Sequence, residues 1–174
     1  MFIKISSLYD FISLITPLST LYIIYSLDPQ LIFGSSLCIF SHYLLKMLTT
    51  GSKFTMFKRP DGATDCSLFN TGGLVDHKSG FPSGHVASIS FLMNLLWLHT
   101  IKDNGISTIE NLYTYVGYNI PVALVAYARV MKGCHNILQV TFGYMLGYVI
   151  ASLMLSYDDN FVQITEYIRT FSVS

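Results

Sequence analysis

Five long stretches of this sequence contain no Asp, Glu, Lys or Arg, and they constrain the fold more than any other feature. They are Phe11–Leu27, Pro29–Leu45, Ser79–Ile101, Asn111–Ala128 and Gly133–Tyr157. A helix needs about 20 mostly apolar residues to span a bilayer, and each stretch is close to that length. A soluble bundle would need polar helix faces, which these stretches almost lack. The sequence therefore predicts an all-α polytopic membrane helix bundle with about five transmembrane helices.

The expected spans lie in a single domain of residues 1–174 and cover residues 8–27, 30–50, 83–101, 111–129 and 135–157. Residues 51–82, between the second and third spans, form a polar, glycine-rich segment. The first span shows no small-residue cleavage site and is expected to be retained. The tail after residue 160 has apolar residues at helical spacing, so it either lies along the membrane surface or is unstructured.

If each helix crosses the bilayer once, the N-terminus, residues 51–82 and the turn after Met131 lie on one side. That side collects cationic and titratable groups near helix ends, namely Lys53, Arg59, His85, Arg129 and His135. Such a cluster at one membrane face indicates a site for an anion. The formal net charge is zero, so the sequence gives no indication of a nucleic-acid partner.

The three cysteines, Cys38, Cys66 and Cys134, show neither a CxxC pair nor the spacing of zinc ligands. Cys38 lies inside an apolar stretch. A framework of paired disulfides is therefore not expected.

The tetrapeptide Pro82-Ser83-Gly84-His85 stands at the predicted start of a helix. Ser83 is a favourable N-cap residue, and the free amides at a helix start attract phosphate. Gly84 would let a ligand approach the backbone closely, and His85 could give a proton to a leaving oxygen. An ordinary capped helix with an interfacial histidine would give the same tetrapeptide.

Two further segments carry residues suited to phosphate chemistry. The planar guanidinium of Arg129 suits phosphate oxygens, and Gln139 follows His135 by four residues, on the same helical face. The Gln139 carbonyl could accept from one imidazole nitrogen and leave the other free to attack phosphorus. Lys53 and Arg59 complete the cationic set, although groups that only contact lipid headgroups would look the same in sequence.

In this order, the three segments resemble the type 2 phosphatidic-acid phosphatase superfamily, whose pattern is Lys-x6-Arg-Pro, then Pro-Ser-Gly-His, then Ser-Arg-x5-His-x3-Asp. The matching segments span about half of the chain and are Lys53-x5-Arg59-Pro60, Pro82-Ser83-Gly84-His85 and Ala128-Arg129-x5-His135-x3-Gln139. The resemblance implies a helical core like that of the vanadium haloperoxidases, which are larger and soluble. It also implies a phosphatase that uses neither a metal nor a cofactor.

The resemblance implies a role for each matched residue. His135 would attack phosphorus and form a phosphohistidine that water hydrolyses. His85 would protonate the leaving group and then act as a base for the water, and Gln139 would be the partner of His135. The phosphoryl oxygens would be held by Lys53, Arg59, Ser83, Gly84 and Arg129.

Three departures from the family pattern bear on the function. Lys53 precedes Arg59 by six residues in place of seven, which on a regular helix leaves them about 120° apart. Ala128 replaces serine and removes one oxygen contact. Gln139 replaces aspartate and removes a charged partner for the imidazole. A His-x3-Gln-Val ending, as found here, also resembles the dolichyl-diphosphatase and glucose-6-phosphatase branches.

The sequence therefore predicts a multi-pass membrane enzyme that hydrolyses a lipid phosphate or a polyprenyl diphosphate. The alternative is a catalytically silent protein of the same fold that binds lipid headgroups or serves as a scaffold. The positive-inside rule favours a cytoplasmic site, whereas the resemblance favours a lumenal one, in the endoplasmic reticulum or another internal membrane. The oligomeric state is left open.

Overall fold

The computed structural model describes residues 5–75, 78–105, 107–163 and 167, most of which lie in helices. The helices are α1 (Leu8–Ser13), α2 (Ile15–Ser26), α3 (Pro29–Thr49), α4 (Gly84–Asn104), α5 (Thr108–Met131) and α6 (Ile137–Ser156). Residues 50–83, here called the α3–α4 segment, contain a short 3-10 helix at Thr55–Phe57. Isolated β-bridges at Lys58–Ser79 and Thr64–Leu74 fold this segment back on itself.

The predicted all-α membrane bundle is confirmed. The run Leu8–Ser26, α3 and α6 are each long and apolar enough to cross a bilayer, with mean hydropathies of 1.3, 1.5 and 1.6. α4 and α5 are as long, at 21 and 24 residues, but they carry more polar side chains. In α4, for example, Asn94 donates to the carbonyl and the hydroxyl of Ser90, so these groups are bonded inside the protein. That α4 and α5 also span the membrane stays a prediction.

The first predicted span is two helices, α1 and α2, with a break at Leu14. The Leu14 N–H bonds to the carbonyl of Phe11 at 3.0 Å, which is a tighter turn than that of an α-helix. Pro17 has no N–H to offer the carbonyl of Ser13. The proline therefore explains why the helix is interrupted within an otherwise continuous apolar stretch.

α6 begins later than the sequence suggested. The Asn136 side chain accepts from the N–H of Gln139, and the Gln139 side chain accepts from the N–H of Asn136. This capping box starts α6 at Ile137, so His135 lies before the helix and does not open it. α5 begins at Thr108, three residues earlier than expected.

α4 is the central helix, and its closest neighbour is α6. A Cβ on Gly147 would lie 2.4 Å from the carbonyl oxygen of Ala87, and one on Gly143 would lie 2.6 Å from that of Ser83. Both positions therefore require glycine. This close backbone contact fixes the first turns of α4 against the first turns of α6.

Polar side chains meet at the two ends of the bundle, as the predicted topology requires. At one end, Lys132 after α5 bonds to the side chains of Asp10 in α1 and Asn70 in the α3–α4 segment. At the other end, Lys102 in α4 bonds to Asp158 after α6 at 2.7 Å. The first helix α1, the α3–α4 segment and the α5–α6 turn thus lie together.

The expectation of no paired disulfide is wrong. Cys66 and Cys134 form a disulfide across 68 residues of sequence, and Cys38 is a buried thiol. The bonded cysteines lie in the α3–α4 segment and in the α5–α6 turn, which only the tertiary fold brings together. The position of Cys38 in an apolar stretch carried no information about the other two.

Candidate active site

A cavity of about 500 Å³ lies at the end of the bundle that holds the α3–α4 segment, with walls from that segment, α2, α3 and α4. Its lining includes four predicted site residues, Arg59, Gly84, His85 and His135, and two that were not predicted, His42 and Lys46. Three more predicted residues, Ser83, Arg129 and Gln139, are fully buried, and each is bonded to a lining residue or adjacent to one. The fold therefore brings seven of the eight predicted residues together.

His135 lies in the turn between α5 and α6 and is 2% exposed. Its Nδ1 is 3.1 Å from Oε1 of Gln139. Because an amide oxygen can only accept, Nδ1 must carry the proton, and Nε2 keeps its lone pair. This is the tautomer that an attack on phosphorus requires.

Gln139 is fully buried, and its whole side-chain amide is bonded. Nε2 donates to the carbonyls of Met56 at 3.0 Å and Lys58 at 2.7 Å. Oε1 accepts from His135 and from the N–H of Asn136. These contacts orient the amide with its oxygen toward the imidazole. A carboxylate here would have no donor for either segment carbonyl, so glutamine suits this segment better than the aspartate of the family pattern.

Two arginines retain N–H groups that no described residue accepts. Nη2 of Arg129 donates to the carbonyl of Cys66 at 2.7 Å, whereas its Nε and Nη1 are buried without a partner. Nη1 of Arg59 donates to the carbonyl of Cys134 at 2.9 Å, and its Nε is also buried and unpaired. Unpaired buried donors are costly, and a phosphoryl group offers the oxygens that would satisfy them.

Ser83 stands at the N-cap position of α4, but its side chain does not cap the helix. Its hydroxyl is buried and has no partner among the residues that the structure describes, while its backbone N–H donates to the carbonyl of Gln139 at 3.0 Å. His85 follows in the first turn of α4, and its Nε2 is likewise buried and unpaired. Gly84, between them, lines the cavity. The start of α4 thus offers unused polar groups beside the nucleophile candidate.

Lys53 is not among the described residues that line the cavity, and its role as a phosphate ligand stays a prediction. α3 ends at Thr49, and Lys53 lies exposed in the turn that follows. Lys46, in the last turn of α3, lines the cavity in its place, and its charge acts on both His85 and His135. The sequence held a signal for this residue, since Lys46 is the first charge after the second charge-free stretch.

His42 is a third histidine at the cavity, and the sequence reasoning missed it. Its Nδ1 is 3.2 Å from the carbonyl of Cys38, so Nδ1 is the donor and, in the neutral ring, Nε2 carries the lone pair. A Cβ on Gly84 would lie 2.8 Å from that Nε2, which places it against the start of α4. His42 and Lys46 are four residues apart and share a helix face, a spacing that is readable in the sequence.

Burial and the cationic character of the cavity together determine the protonation of His135. Burial, followed by the charges of Arg129, Arg59 and Lys46, holds the pKa of His135 well below its usual value, against the opposing effect of Gln139. His135 is therefore neutral at pH 7, as a nucleophile must be. The described residues that line the cavity include no carboxylate, so a bound dianion would meet only cations and neutral groups.

The arrangement can bind a phosphoryl group and attack it. Around one cavity it combines the neutral imidazole of His135, the second imidazole of His85, and two guanidinium groups that retain N–H donors for a ligand. Over residues 5–75, 78–105, 107–163 and 167, no cluster of three or more His, Cys, Asp or Glu side chains is placed to hold a metal ion.

Comparison with known proteins gives a family and a fold. The family model described as the PAP2 superfamily matches residues 31–163. Among solved structures, that of a transmembrane PAP2-type phosphatidylglycerolphosphate phosphatase from Bacillus subtilis aligns with a TM-score of 0.55 and 22% identity, covering 91% of this chain and 80% of that one. No curated protein matches the chain.

Proposed function

The chain belongs to the PAP2 superfamily, and on that premise we propose that it is a membrane phosphatase that hydrolyses a lipid phosphate or a polyprenyl diphosphate through a phosphohistidine, without a metal. One observation carries the proposal. Near His135, the side chains of Arg59, Ser83, His85 and Arg129 carry buried polar atoms that have no partner among the described residues, and two of these side chains, Arg59 and His85, line the cavity. A phosphoryl group offers oxygens that would accept from the arginines and Ser83, and from His85 when its Nε2 is protonated.

In the first step, Nε2 of His135 attacks phosphorus and the bond to the leaving oxygen breaks. His85 gives its proton to that oxygen, so the leaving group departs as an alcohol or as a phosphate ester. Charge accumulates on the phosphoryl oxygens in the transition state, where Arg59, Arg129 and Lys46 offset it. Gln139 accepts from Nδ1 throughout and holds the ring in position.

In the second step, water attacks the phosphohistidine from the side that the leaving group vacated. His85, now neutral, accepts a proton from this water and so returns to its protonated starting state, ready for the next leaving group. The phosphorus–nitrogen bond breaks, and inorganic phosphate is released. His135 recovers its lone pair at Nε2.

The shape of the cavity supports a substrate with an apolar part. Its lining continues from His85 to Thr20 of α2 and Ile39 of α3, about one helical turn further into the bundle. A phosphoryl group held at the start of α4 would therefore place its organic group at the depth of the hydrocarbon. We infer that the substrate is a lipid that remains in the bilayer during the reaction.

The disulfide supports a lumenal or other non-cytosolic position for the site. Disulfides persist in oxidising compartments and are rare in the cytosol, and Cys66–Cys134 lies on the same side as the cavity. Lys46, Arg59 and Arg129 on that side are proposed phosphate ligands, so they are poor markers for the positive-inside rule. Protease protection of a tag placed after residue 163 tests this orientation.

The test of the activity is phosphate release by the full-length protein in detergent, with EDTA present. The substrate panel is phosphatidate, phosphatidylglycerol phosphate, a polyprenyl diphosphate and a sugar phosphate. His135→Ala is expected to abolish turnover, and His85→Ala to lower it by about 10²- to 10⁴-fold. The matched control is His99→Ala, at the opposite end of α4, which should leave the rate unchanged.

A substrate with a good leaving group tests whether His85 is the general acid. p-Nitrophenyl phosphate needs little protonation of its leaving oxygen, so His85→Ala should lose much less activity on it than on the lipid. Equal losses on both substrates would contradict the acid role of His85. Phosphate binding without hydrolysis of any substrate in the panel would favour the catalytically silent alternative.

A further inference from the structure

The disulfide is built into the phosphate site. Cys134 is the residue immediately before His135, and Cys66 lines the cavity. Both are at most 6% exposed. The bond therefore joins the α3–α4 segment to the turn that carries the nucleophile candidate.

Each of the two arginines proposed to bind phosphate donates to the backbone carbonyl of one of these cysteines. Like the disulfide, both hydrogen bonds connect the α3–α4 segment with the end of α5 and the turn that follows it. Arg59, from the α3–α4 segment, donates to Cys134 in the turn. Arg129, from the end of α5, donates to Cys66 in the segment. Each guanidinium has one nitrogen bonded in this way, whereas Nε of Arg59 and both Nε and Nη1 of Arg129 are buried with no partner in the described part of the chain. The position of the two carbonyls therefore decides which N–H groups are available to a ligand.

We propose that the Cys66–Cys134 disulfide positions the groups of the phosphate site, and that the protein binds phosphate tightly only when this disulfide is formed. Reduction by a dithiol transfers two electrons and two protons, which yields two cysteine thiols and the cyclic disulfide of the reductant. Two thiols need more room than a bonded pair, so the backbone shifts locally at Cys66 and at Cys134. Both arginines then lose the carbonyls that orient them, and phosphate binding weakens.

The effect of reduction is local, because other contacts hold the same two parts of the chain together. Lys132 donates to the carbonyl of Asp65 and to the side chains of Asn70 and Asp10. Ala63 packs in the small buried cluster that contains both cysteines. The segment therefore stays docked when the bond is broken, and what changes is the placement of the guanidinium groups.

The test uses the full-length protein in detergent, compared before and after dithiothreitol treatment. Inorganic phosphate is the probe, with its dissociation constant measured by calorimetry and its inhibition constant measured with the best substrate of the panel. Reduction should raise both constants and KM by about 10- to 100-fold, the size expected for misplaced charge-assisted hydrogen bonds. kcat should fall as well, because both arginines also offset charge in the transition state. Helical circular dichroism should be unchanged, and reoxidation should restore binding.

Two variants make the comparison specific. The double variant Cys66→Ser/Cys134→Ser should behave like the reduced protein and should not respond to dithiothreitol. The matched control Cys38→Ser should keep the full response. Alkylation of the denatured, unreduced protein should label Cys38 alone. If the double variant does not fold, reduction of the native chain still gives the measurement.

The inference concerns the site of the proposed function, but binding of inorganic phosphate separates the two. Oxidised protein that binds phosphate but hydrolyses nothing would refute the phosphatase and leave the positioning role standing if reduction still weakens binding. Unchanged phosphate binding after complete reduction would refute the positioning role, whatever the activity. Alkylation of all three cysteines in active, unreduced protein would refute it as well.

Discussion

Gln139→Glu exchanges a fully buried amide for a carboxylate of the same shape, and it separates two demands on this side chain. The carboxylate can still accept from Nδ1 of His135. It has no donor, however, for the carbonyls of Met56 and Lys58, which the amide N–H groups satisfy at 3.0 and 2.7 Å. The aspartate of the family pattern suggests that a negative charge here would raise activity, whereas the observed contacts predict lower stability and lower activity.

The size of the destabilisation follows from the two carbonyls that would be left without a hydrogen-bond donor. A buried polar group that loses its partner costs about 1–3 kcal/mol, so two of them predict a destabilisation of about 2–6 kcal/mol, before any repulsion between the carboxylate and the carbonyl oxygens. The α3–α4 segment should detach locally and take Arg59 with it. We therefore expect Gln139→Glu to lower the unfolding midpoint in detergent and to lower kcat/KM by about 10²-fold, as when a catalytic group is misplaced.

The measurements are thermal unfolding in detergent and phosphate release on the same preparation. Gln163→Glu, on the exposed surface beyond α6, is the matched control and should change neither. Gln139→Leu removes the acceptor as well as the donors and should be less active than Gln139→Glu. If Gln139→Glu is as stable and as active as the parent, the idea that the segment carbonyls select glutamine is refuted.

Three further predictions test other parts of the site. Lys46→Met should raise KM by about 10-fold or more because it removes a cation from the cavity, whereas Lys53→Met should leave KM unchanged; the reverse result would restore the role predicted from the motif. Because the pKa of His135 is lowered, the neutral nucleophile persists into mild acid. In the pH profile of kcat/KM, corrected for substrate ionisation, the acidic limb should therefore lie below about pH 6.5, which is the ordinary pKa of histidine. An acidic limb above that pH would contradict a buried, cationic environment for His135. Gly147→Ala should destabilise the bundle by about 1–3 kcal/mol through overpacking against α4, as measured by the unfolding midpoint, whereas Gly117→Ala, with open space around it, should be neutral or stabilising. Equal midpoints for the two glycine variants would show that the contact between α4 and α6 is not tight.

The sequence was informative where one local rule determines the outcome. Apolar length predicts the long helices, and alternate crossing of the bilayer brings His85 and His135 to the same end without any knowledge of packing. The spacing of His135 and Gln139 was also sufficient to predict their contact, although the helix begins after the histidine. Each of these inferences needed only the rise of a helix and the thickness of a bilayer.

The sequence was a poor guide where the outcome depends on how two distant segments pack against each other. The motif spacing pointed to Lys53, but α3 ends at Thr49, and this removes Lys53 from the helix while leaving Lys46 on the cavity face. The disulfide depends on how the α3–α4 segment folds back across the α5–α6 turn, and no local pattern reports that. The break at Leu14 was in principle readable, because Pro17 follows it within one turn.

The glycine contact between α4 and α6 has a consequence for how such an enzyme can diversify. It sets the separation of His85, on α4, from His135, just before α6, by direct backbone packing that tolerates no side chain. The arginine side chains, in contrast, are held through two carbonyl groups, one in the α3–α4 segment and one in the α5–α6 turn. Mutations in the segment can therefore retune which headgroups are accepted while the reacting pair keeps its spacing, so new specificities can arise without rebuilding the chemistry.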